Sequence, residues 1–177
     1  MKNILYTVYT HTDCIDVWPI FFGQTEKYTD ENMDKAIFLN KLDENIDRLI
    51  PEEYEVYLYD DTTTYTERVL SCLESIRHDY ILFHHEDMFL YESPDWSKIK
   101  SYVKYMEDNG YDSVRLIKSG EMGGEKLTED LVDLSESTMF NFVLQPTIIK
   151  TNKMVELFSR SNIVFTDGAI HNEKNNI

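Results

Sequence analysis

Apolar residues along the chain fall into short runs and spaced stripes that take turns. Ile4 to Tyr9 is an apolar, β-rich run and predicts a buried strand. The polar residues Thr10-His11-Thr12-Asp13 interrupt it as a loop. Val17, Trp18, Phe21 and Phe22 then recur at helical spacing, with Asp13 or Asp16 as the expected cap and Pro19 tolerated only in the first turn. Lys35 to Leu39 predicts a second strand, and Leu42, Ile46, Leu49 and Ile50 predict a helix that Pro51 ends. Glu55 to Tyr59 predicts a third strand, running straight into Asp60-Asp61. Thr64-Tyr65-Thr66-Glu67 has the capping-box pattern, with Val69, Leu70, Leu73 and Ile76 as the buried stripe behind it.

Tyr80-Ile81-Leu82-Phe83 is apolar without alternation, which suits a central strand covered on both faces. Its polar exit is His84-His85-Glu86-Asp87. Ser93-Pro94 opens a helix with Trp96, Ile99, Val103 and Met106 on one face, and Asn109-Gly110 ends it. Tyr111 to Ile117 and Met139 to Lys150 are further strand candidates, with a helix near Asn152 to Phe158. Between them, Lys118 to Ser137 is glycine-containing and acidic and reads as a mobile loop. Strands alternating with helices predict an α/β fold with a mostly parallel central sheet flanked by helices. The Ile4–Tyr9, Glu55–Tyr59 and Tyr80–Phe83 strands are expected to be adjacent and parallel. No repeat or linker divides the sequence, so a single domain over residues 1–177 is expected.

Composition narrows the classes of partner. With 42% hydrophobic and 13% aromatic residues, the chain has enough core material to exclude intrinsic disorder. Seventeen basic against 33 acidic residues leave a formal charge of −16, which opposes binding to a nucleic-acid backbone or an anionic membrane. A polyanionic ligand then needs a local basic pocket or a bridging cation. Cys14 and Cys72 form no CxxC pair and no disulfide framework. The first apolar run is too short for a signal-peptide core or a membrane span, so a cytoplasmic location is expected.

Ligands of parallel sheets bind at the carboxyl edge. Three strand ends carry polar clusters there: Thr10 to Asp13, Asp60-Asp61, and His84 to Asp87. Strand alternation would set His85 and Asp87 on one side and His84 and Glu86 on the other. A carboxylate at a strand end, with a second ligand two residues earlier, can hold a divalent cation against a diphosphate, and an imidazole favours manganese over magnesium. The alternative is a set of solvated residues or helix caps beyond a strand. Asp60 and Asp61 can accept hydrogen bonds from a ribose or a uracil imide, or simply begin the next helix. Arg68 matches paired phosphate or sugar oxygens, or is a surface arginine. Trp18, Phe21 and Phe22 read as core. No GxSxG, P-loop, GxGxxG or zinc-spaced Cys/His set is present.

The segment from Thr10 to Phe22 (THTDCIDVWPIFF) resembles the first-strand loop and helix of a group of GT-A-type glycosyltransferases from bacteria and large viruses. His85-Glu86-Asp87-Met88-Phe89-Leu90 is similar to their EDxF version of the metal-binding DxD motif. Phe142 to Lys150 resembles their later acceptor-side strand. The resemblance implies a GT-A (Rossmann-like) fold and transfer of a sugar from a UDP- or GDP-linked donor to a saccharide acceptor, as in polysaccharide biosynthesis. It implies that Asp87 is the cation or diphosphate-side carboxylate, with His85 in the first DxD position and manganese or magnesium as the cation. Asp60 and Asp61 would contact the nucleoside, and Thr10 and His11 would line its pocket. Asp167, in Ile163-Val164-Phe165-Thr166-Asp167, stands where the group has a tryptophan-containing acidic motif and would be the catalytic base. Two other classes compete: a metal-dependent hydrolase using His84, His85, Glu86 and Asp87, and a non-catalytic nucleotide-sugar-binding module.

Overall fold

A computed structural model describes residues 4–30, 32–117, 124–134 and 146–160, and the backbone of 163–166 and 169–172. In chain order the elements are β1 (Ile4–Tyr9), α1 (Trp18–Tyr28), β2 (Lys35–Leu39), α2 (Glu44–Asp47), β3 (Tyr54–Leu58), α3 (Tyr65–Leu73) and β4 (Tyr80–His85). They continue with α4 (Trp96–Asn109), β5 (Ser113–Arg115), β6 (Thr147–Lys150), α5 (Thr151–Phe158), β7 (Ile163–Thr166) and β8 (Ala169–Asn172). Six strands form one sheet in the order β3-β2-β1-β4-β6-β5, and β7 pairs with β8 as a separate hairpin. β1 to β4 are mutually parallel, whereas β6 runs antiparallel to both β4 and β5.

Both faces of the sheet are covered, so the central strands read as continuous apolar runs whose residues divide between two cores. On one face Tyr6, Val8, Ile37, Leu82 and Ile148 pack with Trp18 and Phe21 of α1 and Ile99, Val103 and Met106 of α4. On the other, Leu5, Tyr9, Phe38, Ile81, Phe83 and Ile149 pack with Val69 and Leu73 of α3 and Met154 and Phe158 of α5. Fully buried Phe21 and Phe38 each contribute roughly 1.5–3 kcal/mol by leaving water. The same alternation sends the last two residues of β4 to opposite faces: His84 lies against Tyr6 and Phe21, and His85 against Tyr9 and Phe83.

Several expectations are corrected. The Glu55–Tyr59 strand begins at Tyr54 and ends at Leu58, and β2 separates it from β1, so the three parallel strands are not all neighbours. Neither Asp13 nor Asp16 caps α1, which starts from Val17 with no side-chain cap; instead His11 caps a 3-10 turn at Thr12–Cys14. α2 is a single turn capped by Asp43, because of the four apolar residues that predicted a longer helix only Ile46 and Ile50 are buried while Leu42 and Leu49 are exposed. The acidic stretch after β5 is not all free loop. Asp130 pairs with Lys98 of α4 at 2.7 Å, and Tyr111 donates to Asp133 at 2.9 Å. The Met139 to Lys150 strand is described only from Pro146 onward, and β6 begins at Thr147. The Thr64–Glu67 capping box forms as expected, and Gly110 closes α4 at φ 77°. Among the described residues no helix is long and apolar enough to cross a membrane.

Candidate functional site

Because β1 to β4 are parallel, their carboxyl ends meet along one rim. At the end of β1, Thr10 is buried and tied in three directions. Its amide donates to Phe38 O at 3.0 Å, its hydroxyl accepts from Trp18 Nε1 at 3.0 Å, and its carbonyl accepts from the Tyr59 hydroxyl at 2.8 Å. Thr10 therefore holds α1 and the end of β3 to β1. His11, the next residue, reaches the surface of the rim. Its Nδ1 accepts from the Asp13 amide at 3.0 Å, which leaves Nε2–H to donate to Asp61 Oδ2 at 2.9 Å.

Asp61 is the centre of the β3 end. Besides His11, its Oδ1 lies 3.0 Å from Arg68 Nη1, and the His11 hydrogen bond is the main cause that holds its carboxyl below the usual range. Arg68 also donates from Nε to Thr63 O at 2.9 Å and from Nη2 to Asp61 O, and lies over the Tyr59 ring. Asp60 turns the chain into α3: its Oδ1 accepts from the Thr62 amide at 2.9 Å and hydroxyl at 2.7 Å, which lowers its pKa.

The β4 end differs from the sequence expectation. The strand stops at His85 and a turn follows, closed by Met88 N donating to His85 O at 3.2 Å, so strict alternation does not carry on to Asp87. His84 is buried; its Nδ1 donates to His85 O at 2.9 Å, and burial pushes its pKa down to about 4. His85 Nε2 meets the Tyr65 hydroxyl at 2.8 Å, and burial lowers its pKa as well. The Glu86 carboxylate beside the Cys14 thiol is the leading cause that pushes that thiol up to about 11. Asp87 is exposed.

His84 and His85 on opposite faces of one strand cannot share a metal, so the four-residue hydrolase set does not converge. Among the described residues, no group of three or more His, Cys, Asp or Glu side chains is placed to hold a metal ion. Asp87, exposed in the turn after β4, is the residue that could hold a cation whose other ligands are phosphate oxygens and water. Asp167 lies outside the described residues.

Three contributors were not singled out from sequence. Asn40, directly after β2, accepts from Thr12 N at 2.9 Å and donates to Thr12 Oγ1 at 3.1 Å. As the fourth parallel strand end it carried the same positional signal as the other three. Cys14 and Tyr65 gave no signal of their own, since their partners are distant in sequence.

With this geometry in view, comparison with solved structures places the fold. S. aureus TarS, as a 1–349 fragment, superposes with a TM-score of 0.60 at 11% identity, over 88% of this chain and 49% of the fragment. The same fragment in complex with UDP-GlcNAc gives 0.55 at 10% identity, over 88% and 47%. The 4-diphosphocytidyl-2C-methyl-D-erythritol synthase of Anaerococcus prevotii gives 0.58 at 14% identity, over 94% and 79%. The architecture is GT-A-like. The TarS fragment is also known in complex with UDP, which superposes with a TM-score of 0.55 at 11% identity. The chain spans about half the length of the TarS fragment it matches. No protein-family model matches the sequence, and no curated protein matches it.

Proposed function

We propose that the chain is a glycosyltransferase that takes a UDP- or GDP-linked sugar as donor and a saccharide as acceptor. The observation that carries this reading is the rim itself: His11, Asp61 and Arg68 join the ends of β1 and β3 beside the turn that ends β4 in Asp87. In this reading Asp61 and Asp60 accept hydrogen bonds from the nucleoside, using lone pairs that their protein partners leave over. His11 fixes the orientation of Asp61, and Thr10 fixes His11. Arg68 binds Asp61 and shields its charge from the donor. Asp87 holds a divalent cation, manganese or magnesium, which would neutralise the departing diphosphate. Such a cation is needed at a −16 chain whose rim offers Arg68 already paired. Asp167 is the proposed base for the acceptor hydroxyl.

The test is calorimetric titration with UDP, GDP and CTP, with and without Mn2+, followed by turnover assays. Cation-dependent UDP or GDP binding with donor hydrolysis supports the reading. Pyrophosphate release from CTP would replace it with nucleotidyl transfer. Binding without turnover would leave a nucleotide-sugar-binding module.

A further inference from the structure

The first position of the β4-end motif holds an imidazole where a carboxylate would be a direct cation ligand, and this chain gives that imidazole a different partner. Tyr65 is the first residue of α3, set in place by the Thr64–Glu67 capping box, and its hydroxyl lies 2.8 Å from His85 Nε2. The His85 ring is enclosed by Tyr9, Tyr65 and Phe83, with centroids 5.2, 5.9 and 6.0 Å away. These contacts draw it to the face packed on α3, while Asp87 stands beyond the strand in an exposed turn. The His85 carbonyl, in turn, accepts from Met88 N and from His84 Nδ1. One residue thus joins the start of α3 to the root of the turn that carries Glu86 and Asp87.

We propose that His85 is a positioning residue rather than a cation ligand: clasped by Tyr65 through Nε2, it fixes the turn that presents Asp87. The proposal rests on the rim being a cation-assisted diphosphate site. If His85 were instead a ligand through Nδ1, Tyr65 would orient it, and bound Mn2+ would carry the hyperfine coupling of a directly bonded imidazole nitrogen. The two roles separate when that coupling is read beside affinity and turnover.

The experiment uses the full chain with Mn2+ and UDP, following bound Mn2+ by electron paramagnetic resonance, alongside hydrolysis of the donor. Tyr65→Phe keeps the ring packing, and His85→Gln keeps an acceptor for the Tyr65 hydroxyl. A positioning role predicts no directly bonded imidazole nitrogen in the Mn2+ spectrum of the parent chain. It also predicts a loss of about 10–100-fold in Mn2+ affinity or turnover for Tyr65→Phe and His85→Ala alike, the range for losing an orienting partner. The double variant should be no slower than the singles, and His85→Gln should recover part of the rate. Direct coupling of an imidazole nitrogen to bound Mn2+ in the parent chain, lost in His85→Ala, overturns the proposal. Nitrogen NMR of the imidazoles tests the clasp without any substrate: Tyr65→Phe must shift the His85 Nε2 resonance, and an unchanged resonance overturns it. Asp87→Asn serves as the control for the underlying reading. Full Mn2+ affinity in that variant refutes the cation site and with it the positioning role, while the NMR arm still decides whether the clasp exists.

Discussion

Tyr59→Phe removes one oxygen atom and tests how the rim is held. The hydroxyl donates to Thr10 O at 2.8 Å across the gap between the β3 and β1 ends, and Tyr59 is only 3% exposed. Phenylalanine keeps the ring stacked on Tyr9, 5.1 Å away and within 6° of parallel, so packing is conserved. What is lost is a buried hydrogen bond, and the Thr10 carbonyl is left without this donor. A net hydrogen bond contributes about 0.5–1.5 kcal/mol, and an unsatisfied buried acceptor raises the cost to roughly 1–3 kcal/mol. Urea denaturation should show a lower midpoint with an unchanged m-value, because the folded state buries the same surface. Tyr91→Phe, at a side chain that is 80% exposed, supplies the control and should stay within about 0.5 kcal/mol of the parent. If Tyr59→Phe matched that control, Thr10 would not be the point of attachment described above. If the rim binds nucleotide, Tyr59→Phe should also weaken UDP binding, since Thr10 leads directly into His11.

Other outcomes follow from the histidines and the thiol. His84 has its folded-state pKa depressed to about 4 by burial, so the unfolded chain takes up the proton first as pH falls. Its contribution is intact above the ordinary value of 6.5 and is lost between there and 4, amounting to roughly 3 kcal/mol; His84→Gln should flatten the stability curve over that window, and an unaltered curve would refute the assignment. Cys14 is held up at about 11 chiefly by the neighbouring Glu86 carboxylate, so Glu86→Ala should bring it back toward 9 and speed alkylation at pH 8 by up to about 100-fold. An unchanged alkylation rate, with buried Cys72 silent in both chains, would remove the Cys14–Glu86 contact.

Much of the fold was legible because its signals are local. Ile4–Tyr9 and Tyr80–Phe83 are runs that only a two-faced burial explains, and Thr64 with Glu67 carries its own capping chemistry. Strand order was not local: nothing in the residues of β3 says that β2 lies between it and β1. α2 shrank to one turn because helical spacing records which residues share a face, not whether a partner covers it. The rim was found from strand ends, but the roles within it needed coordinates. Thr10 looks like an open polar position in sequence and is a buried junction in the fold. His85 and Asp87 look like a pair at period two, yet the strand ends between them.

The central claim is that the rim binds a nucleoside diphosphate through a cation on Asp87. Calorimetric titration of the full chain and of Asp87→Asn with UDP and GDP, each with and without Mn2+, tests it most directly. The account predicts Mn2+-dependent binding of at least one nucleotide to the parent chain, and loss of that dependence in an Asp87→Asn chain whose melting temperature is nearly unchanged. Equal affinity in the two chains, or binding indifferent to Mn2+, would contradict it.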